Sequence, residues 1–162
     1  MKEIDLTGEK FDFLELSEGN LFYDSFSEGE QFHLRVYGAT LMKELDFYNK
    51  DVYIPSFSDL IFDDVKYISM YYGIYANEIG NKFVKNFNGD STEMWLKLGK
   101  NNDLCEYSQY VTGGILGRNF GYGELTIYCK GKIKFTYDEK TVIDATKFVL
   151  NPNKYRIESI YN

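Results

Sequence analysis

Residues 121–137, Gly-Tyr-Gly-Glu-Leu-Thr-Ile-Tyr-Cys-Lys-Gly-Lys-Ile-Lys-Phe-Thr-Tyr, constrain this chain more than any other stretch, because apolar and polar residues alternate on both sides of a glycine-bearing turn. Strict alternation sends successive side chains to opposite faces of a strand. A two-residue turn at Lys130-Gly131 would mix apolar and charged residues on both faces, since Ile127 would then oppose Lys134. A three-residue loop, Cys129-Lys130-Gly131, with the glycine in the left-handed conformation, sets Ile127 against Ile133 and Leu125 against Phe135. The other face then carries Glu124, Thr126, Tyr128, Lys132, Lys134 and Thr136, and Gly123 falls opposite Tyr137. The expectation is a β-hairpin with one buried face and one wet face.

The rest of the chain reads as further short strands. Residues 9–16 alternate with Phe11 and Phe13 on one face and change face near Leu14, the pattern of a bulged strand. Two glycine-containing corners, at 17–20 and 27–30, flank Leu21-Phe22-Tyr23. Residues 30–37 put Phe32, Leu34 and Val36 inward and His33, Arg35 and Tyr37 outward. Residues 38–47 have the spacing of a helical turn, and Val52-Tyr53-Ile54 before Pro55 reads as an edge strand or an extended lead-in. Large residues on both faces of 65–72 mark a central strand. Residues 76–87 fit a helix or a hairpin turning at Gly80-Asn81, and 138–150 fit a helix capped by Asp138 or two strand pieces. Strands are expected at 92–98, 104–111 and 155–161. This spacing predicts a mainly β fold over residues 1–162 as one domain, an antiparallel β-sandwich or partly open barrel with one or two short helices. The expected core is Phe32, Leu34, Val36, Leu60, Phe62, Met94, Leu96, Leu125, Ile127, Ile133, Phe135 and Ile157.

With 162 residues and 44% hydrophobic content, the chain needs no disulfide or metal staple to build a core. Two cysteines, Cys105 and Cys129, are too few for a secreted disulfide scaffold and are expected as free thiols. The first residues carry no basic-then-apolar leader, and no window approaches the length of a membrane span, so a cytoplasmic protein is expected. The net charge of −7 is unevenly spread: residues 1–64 hold 15 acidic against 5 basic residues, whereas 65–162 hold 10 against 13. An acidic half that clusters in space repels nucleic-acid phosphate and attracts a basic partner.

Catalytic and metal patterns are scarce. No Cys-x-x-Cys or paired-histidine spacing is present, so no metal or cofactor is expected. The lone histidine, His33, is expected as a surface residue in a hydrogen-bonded polar row or at an interface; in the alternative it would have to act as base for a serine or for one of the cysteines, with Arg118 as the accompanying anion contact. The glycine-rich stretch 113–123 contains Gly113, Gly114, Gly117, Arg118 and Tyr122, and glycine amides can approach an anion closely. It lacks the lysine and hydroxyl of a Walker loop and the spacing of a dinucleotide site, so a mobile loop with turns, or a binding loop for a partner, is the plainer expectation. Asp63, Asp64 and Glu93 could pair as acid and base, but a turn dipeptide and a solvated glutamate account for them equally.

In size, acidity and aromatic content the chain is similar to bacterial immunity proteins and phage-encoded inhibitors, a likeness of composition and not of motif. The function expected first is therefore a non-enzymatic protein that masks a basic surface on a protein partner through Glu18, Asp24, Glu28, Glu30, Asp63 and Asp64, with no direct contact to nucleic acid or membrane. The alternative is a small-molecule or nucleotide-binding β protein, or an enzyme, with the 113–123 stretch at its site and tyrosines supplying stacking faces.

Overall fold

A computed structural model of the chain describes residues 1–16, 19–27, 29–75, 91–116 and 121–155, and the statements below concern these. Eleven strands are present: β1 (Lys2–Asp5), β2 (Leu14–Glu15), β3 (Asn20–Phe26), β4 (Gln31–Leu41), β5 (Val52–Asp63), β6 (Val65–Tyr75), β7 (Ser91–Gly99), β8 (Ser108–Leu116), β9 (Gly121–Cys129), β10 (Ile133–Tyr137) and β11 (Ile143–Asp144). They form one sheet in the order β1-β10-β5-β4-β3-β8-β9-β6-β7, with β2 added on β4 and β11 on β5. All pairings are antiparallel except β3 with β8. The sheet does not close into a barrel. Three single 3-10 segments, η1 (Gly8–Phe13), η2 (Lys43–Leu45) and η3 (Glu139–Thr141), and two short α-helices, Ala145–Leu150 and Pro152–Tyr155, complete the described residues. Among these residues no helix is long and apolar enough to cross a membrane.

The expected hairpin at 121–137 does not form. β9 lies between β8 and β6, whereas β10 lies between β1 and β5, so the chain crosses from one half of the sheet to the other at residues 130–132. A second crossing runs beside it, where β5 passes into β6 through Asp64 in the left-handed conformation (φ 51°). The two crossings are laced together: the Lys130 N–H donates to the Asp64 carbonyl (3.1 Å), the Gly131 N–H to the Asp63 carbonyl (3.1 Å), and the Asp63 N–H to the Lys132 carbonyl (2.9 Å). What looked like a hairpin and a corner is one antiparallel ribbon, β5–β6 against β10–β9, bent at its middle. Gly131 is required there, because a Cβ would lie 2.6 Å from Asp63 Cβ and 2.7 Å from its carbonyl oxygen.

The face pattern nevertheless holds. Leu125, Ile127, Ile133 and Phe135 are buried, and Glu124, Thr126, Tyr128, Lys132, Lys134 and Thr136 are exposed or half-buried. The bend folds the two halves of the sheet so that their inner faces join one core, in which Phe11 sits edge-on to Phe62 (5.7 Å between ring centroids) and to Tyr110 (5.2 Å). Gly123 opposes Tyr72 and Gly114, and Tyr137 opposes Lys2. Phe32, Leu34, Val36, Leu60 and Phe62 are core residues as expected. Met94 and Leu96 lie on β7, which pairs with β6, while Ile157 and the segment 76–87 lie outside the described residues.

Other local expectations change. Residues 8–13 are a 3-10 helix, not a strand, and β2 follows. Residues 38–41 extend β4, leaving only η2 as helical turn. β5 runs straight through Pro55, which falls where the β4–β5 register shifts and a ladder donor is dispensable. The segment 138–150 divides into η3, β11 and a helix: Asp138 caps η3 as expected, its carboxylate accepting from the Lys140 N–H (3.0 Å), and Asp144 caps the helix, accepting from the Thr146 N–H (3.0 Å).

Candidate functional site

Of the six acidic residues singled out from the sequence, Glu30, Asp63 and Asp64 lie among the described residues with their side chains. Glu18 and Glu28 lie outside the described residues, and Asp24 is placed on β3 by its backbone alone. Glu30, Asp63 and Asp64 do converge at the corner: the Val65 N–H donates to the Glu30 carbonyl (3.4 Å), and Asp63 is paired in register with Gln31. Lysines converge there as well. Lys134 Nζ is 3.5 Å from Asp63 Oδ2, and Lys130 pairs with Glu106 at 2.8 Å. The hydrogen bond and charge of Lys130 hold the Glu106 carboxyl below its ordinary value. The corner is a mixed-charge surface, and Asp63 is engaged within it.

His33 points outward, as alternation requires, and is half-buried. Its Nε2 is 2.8 Å from Gln31 Oε1, while Gln31 Nε2 donates to Asp63 Oδ1 at 2.6 Å. A carboxamide oxygen only accepts, so His33 Nε2 is the donor and the tautomer is set by the row His33–Gln31–Asp63. Arg35, two residues along, forms its own pair with Asp59 (2.9 Å). Cys129, one of the thiols the histidine could have served, is buried, and burial with the nearby Asp64 and Asp63 carboxylates pushes its thiol up to about 12. Cys105 is exposed.

The glycine-rich stretch is mostly strand. Gly113 and Gly114 belong to β8 and Tyr122 to β9, whereas Gly117 and Arg118 lie outside the described residues. Gly113 and Gly114 each make room for a neighbour: a methyl group at Gly113 would collide with the Tyr122 hydroxyl, and one at Gly114 would lie 2.7 Å from the Gly19 carbonyl oxygen and 2.8 Å from that of Leu16.

These packings shape a groove that the sequence did not disclose. Two concavities, of about 400 and 350 Å³, lie end to end and share Asp12 and Val111. One wall is β8 from Ser108 to Gly113, and the other is the segment from Gly8 to Leu16, comprising η1 and β2. At one end the Gly8 N–H donates to the Tyr110 hydroxyl (3.1 Å), and at the other Gly114 abuts Leu16. Val111 is 50% exposed and Tyr122 39%, so the groove presents apolar surface to water. Glu9, Asp12 and Glu15 stand along it, and η2 with Glu44 and Asp46 packs behind, tied by the Met42 N–H to the Phe13 carbonyl (3.0 Å). Glu9, Asp12, Glu44 and Asp46 are exposed, and among the described residues no ion pair engages them. The spacing of three residues between Glu9 and Asp12 was the available signal for that wall, since positions three apart eclipse on a 3-10 turn.

A separate open concavity of about 560 Å³ lies on the outer face of β6, β7, β8 and β9, lined by Tyr67, Ser69, Lys97, Gln109, Thr126 and Tyr128. No group of three or more metal-ligating side chains is found among the described residues. No protein-family model, curated protein or solved structure matches the chain.

Proposed function

We propose that this protein is a non-catalytic binding protein that masks a basic surface on a macromolecular partner, as an immunity protein covers a toxin or an inhibitor covers a nucleic-acid-binding enzyme. One observation carries the reading: exposed carboxylates of the N-terminal half gather at the end built by η1 and η2, where Glu9, Asp12, Glu44 and Asp46 stand against Lys10 and Lys43. The acids at the corner and on the sheet, in contrast, are offset locally by Lys134, Arg35 and Lys130. A field of one sign beside exposed apolar residues steers a partner of the opposite sign and then holds it by burial. This moves the binding surface away from Asp63 and Asp64 and onto the groove end.

The test is affinity capture with the wild-type protein and with the variant Glu9→Lys/Asp12→Lys/Glu44→Lys, at about 0.05 and about 0.5 M salt, across which screening lengthens or shortens the reach of surface charge. A basic partner retained at low salt, released at high salt and lost by the variant is the expected result. A partner held equally by both proteins and at both salts would overturn the reading. The concavity at Tyr67 and Tyr128 favours a second reading, binding of a small hydroxyl-rich or aromatic ligand on the outer sheet face, where two tyrosine rings 5.9 Å apart flank Ser69 and Thr126. Thermal stabilisation by a sugar or nucleoside, abolished by Thr126→Trp, would support it, and no shift with any such ligand would remove it.

A further inference from the structure

We infer that the groove beside β8 takes an extended segment of the partner as an added strand, an alternating basic and apolar peptide that pairs with the free edge of β8. The inference rests on the charge-masking reading above and specifies what enters the groove. Between Ser108 and Gly114, β8 has β9 on one side and, among the described residues, no strand on the other, because its pairing with β3 is confined to Ile115 and Leu116. The direction of the unused groups follows from one hydrogen bond. The Ile115 N–H donates to the Gly19 carbonyl (2.9 Å), on the side away from β9. Successive residues of a strand send their N–H and C=O to alternate sides. Gln109, Val111 and Gly113 therefore aim theirs into the groove, while Tyr110 and Thr112 bond toward β9.

An edge of this kind is normally blunted by a lysine, a proline or a bulge. Residues 108–113, Ser-Gln-Tyr-Val-Thr-Gly, contain none of these, and their register with β9 is unbroken. The distance from Gln109 to Gly113 is roughly 14 Å, room for five residues of an incoming strand. Charge selects the occupant. The far wall carries Glu9 and Asp12, both exposed and in no ion pair among the described residues, so the side chains of the segment within reach of them should be Lys or Arg. The intervening side chains meet Val111 and Tyr122, which favours Val, Ile or Thr there. A second copy of this chain would bring its own Glu9 and Asp12 against these two and is disfavoured. Strand addition supplies affinity through the backbone while the alternate side chains supply selectivity.

The probes are a decapeptide alternating Lys with Val, and decalysine as a purely electrostatic control, each titrated into isotopically labelled protein. The expected result is that the alternating peptide slows amide exchange at Gln109, Val111 and Gly113 at least tenfold, and that decalysine binds without doing so. Val111→Pro removes an N–H that bonds to nothing within the described fold, at an edge position where proline is tolerated. It should weaken the alternating peptide about tenfold and leave decalysine unchanged, with unaltered melting as proof of folding. If both peptides bind equally and neither protects the three amides, strand addition fails while charge masking stands. Absence of binding by either peptide overturns both, and a concentration-dependent dimer of the free protein that Val111→Pro dissolves would assign the edge to self-association instead.

Discussion

Single residues in this protein are decided by what surrounds them at the bend. Gly131 lies against the Asp63 backbone with no room for a methyl group, so Gly131→Ala must push apart two crossings held by three hydrogen bonds. A loss of about 1–3 kcal/mol is expected, read as a lower urea midpoint at constant slope. Cys129 lies at the same place and shows the electrostatic side of it. Its folded thiol sits near 12, whereas an unfolded thiol ionises near 8.5. The folded state thus holds the proton more tightly: the stability tied to it is complete below about pH 8.5 and declines as pH rises through 12. At pH 8 a thiol reagent should label Cys105 at once and Cys129 only after denaturation. Two rapidly reacting thiols in the native protein would contradict the burial described. His33 belongs to this scale too. The sequence could place it outward but could not show the carboxamide that fixes its tautomer, because Gln31 and Asp63 come together only through the β4–β5 register.

At the scale of elements, alternation foretold faces but not partners. Ile127, Ile133, Leu125 and Phe135 are buried for the reason read from the sequence, and Ile133→Asp should cost on the order of 4 kcal/mol, seen by urea unfolding, because among the described residues no cation is buried beside it. The same alternation is produced by two strands of a hairpin and by one strand that crosses between sheet halves. The turn at 129–131 gave no way to separate them, since a glycine suits a left-handed loop residue as well as a close backbone approach. What separates them is non-local: residues 63–64 must lie opposite 130–132, some 67 positions away, and nothing short-range records that. The 3-10 segment η1 departs from the expected strand for a related reason. Phe11 and Phe13 alternate like a strand, but Phe11 turns into the core while Glu9 and Asp12 line up on the outside, and only the packing against Phe62 and Tyr110 distinguishes the two. The groove depends on that packing, which alternation alone does not record, although the acidic spacing and imbalance along its wall are visible in the sequence.

For the whole molecule, the question is whether a sheet bent in two behaves as one body or as two halves hinged at residues 63–64 and 130–132. The core argues for one. Phe11 enters from η1 and touches Phe62 on β5 and Tyr110 on β8, so it joins strands from both halves, and Phe62 and Tyr110 also meet directly at 6.4 Å. Buried residues from β1, β4, β5 and β10 on one side and from β6, β8 and β9 on the other belong to a single cluster. If those contacts bind the halves, removing their shared ring must lower the stability of everything at once. Phe11→Ala should cost about 3–5 kcal/mol through lost burial and the cavity left behind. Far-UV circular dichroism, which follows the strands, and near-UV dichroism, which follows the tyrosines of both halves, should still trace one coincident transition at a lower temperature. Two separated transitions in the variant would mean that the bend is a hinge between halves that fold on their own, and that Phe11 fastens them without being needed by either.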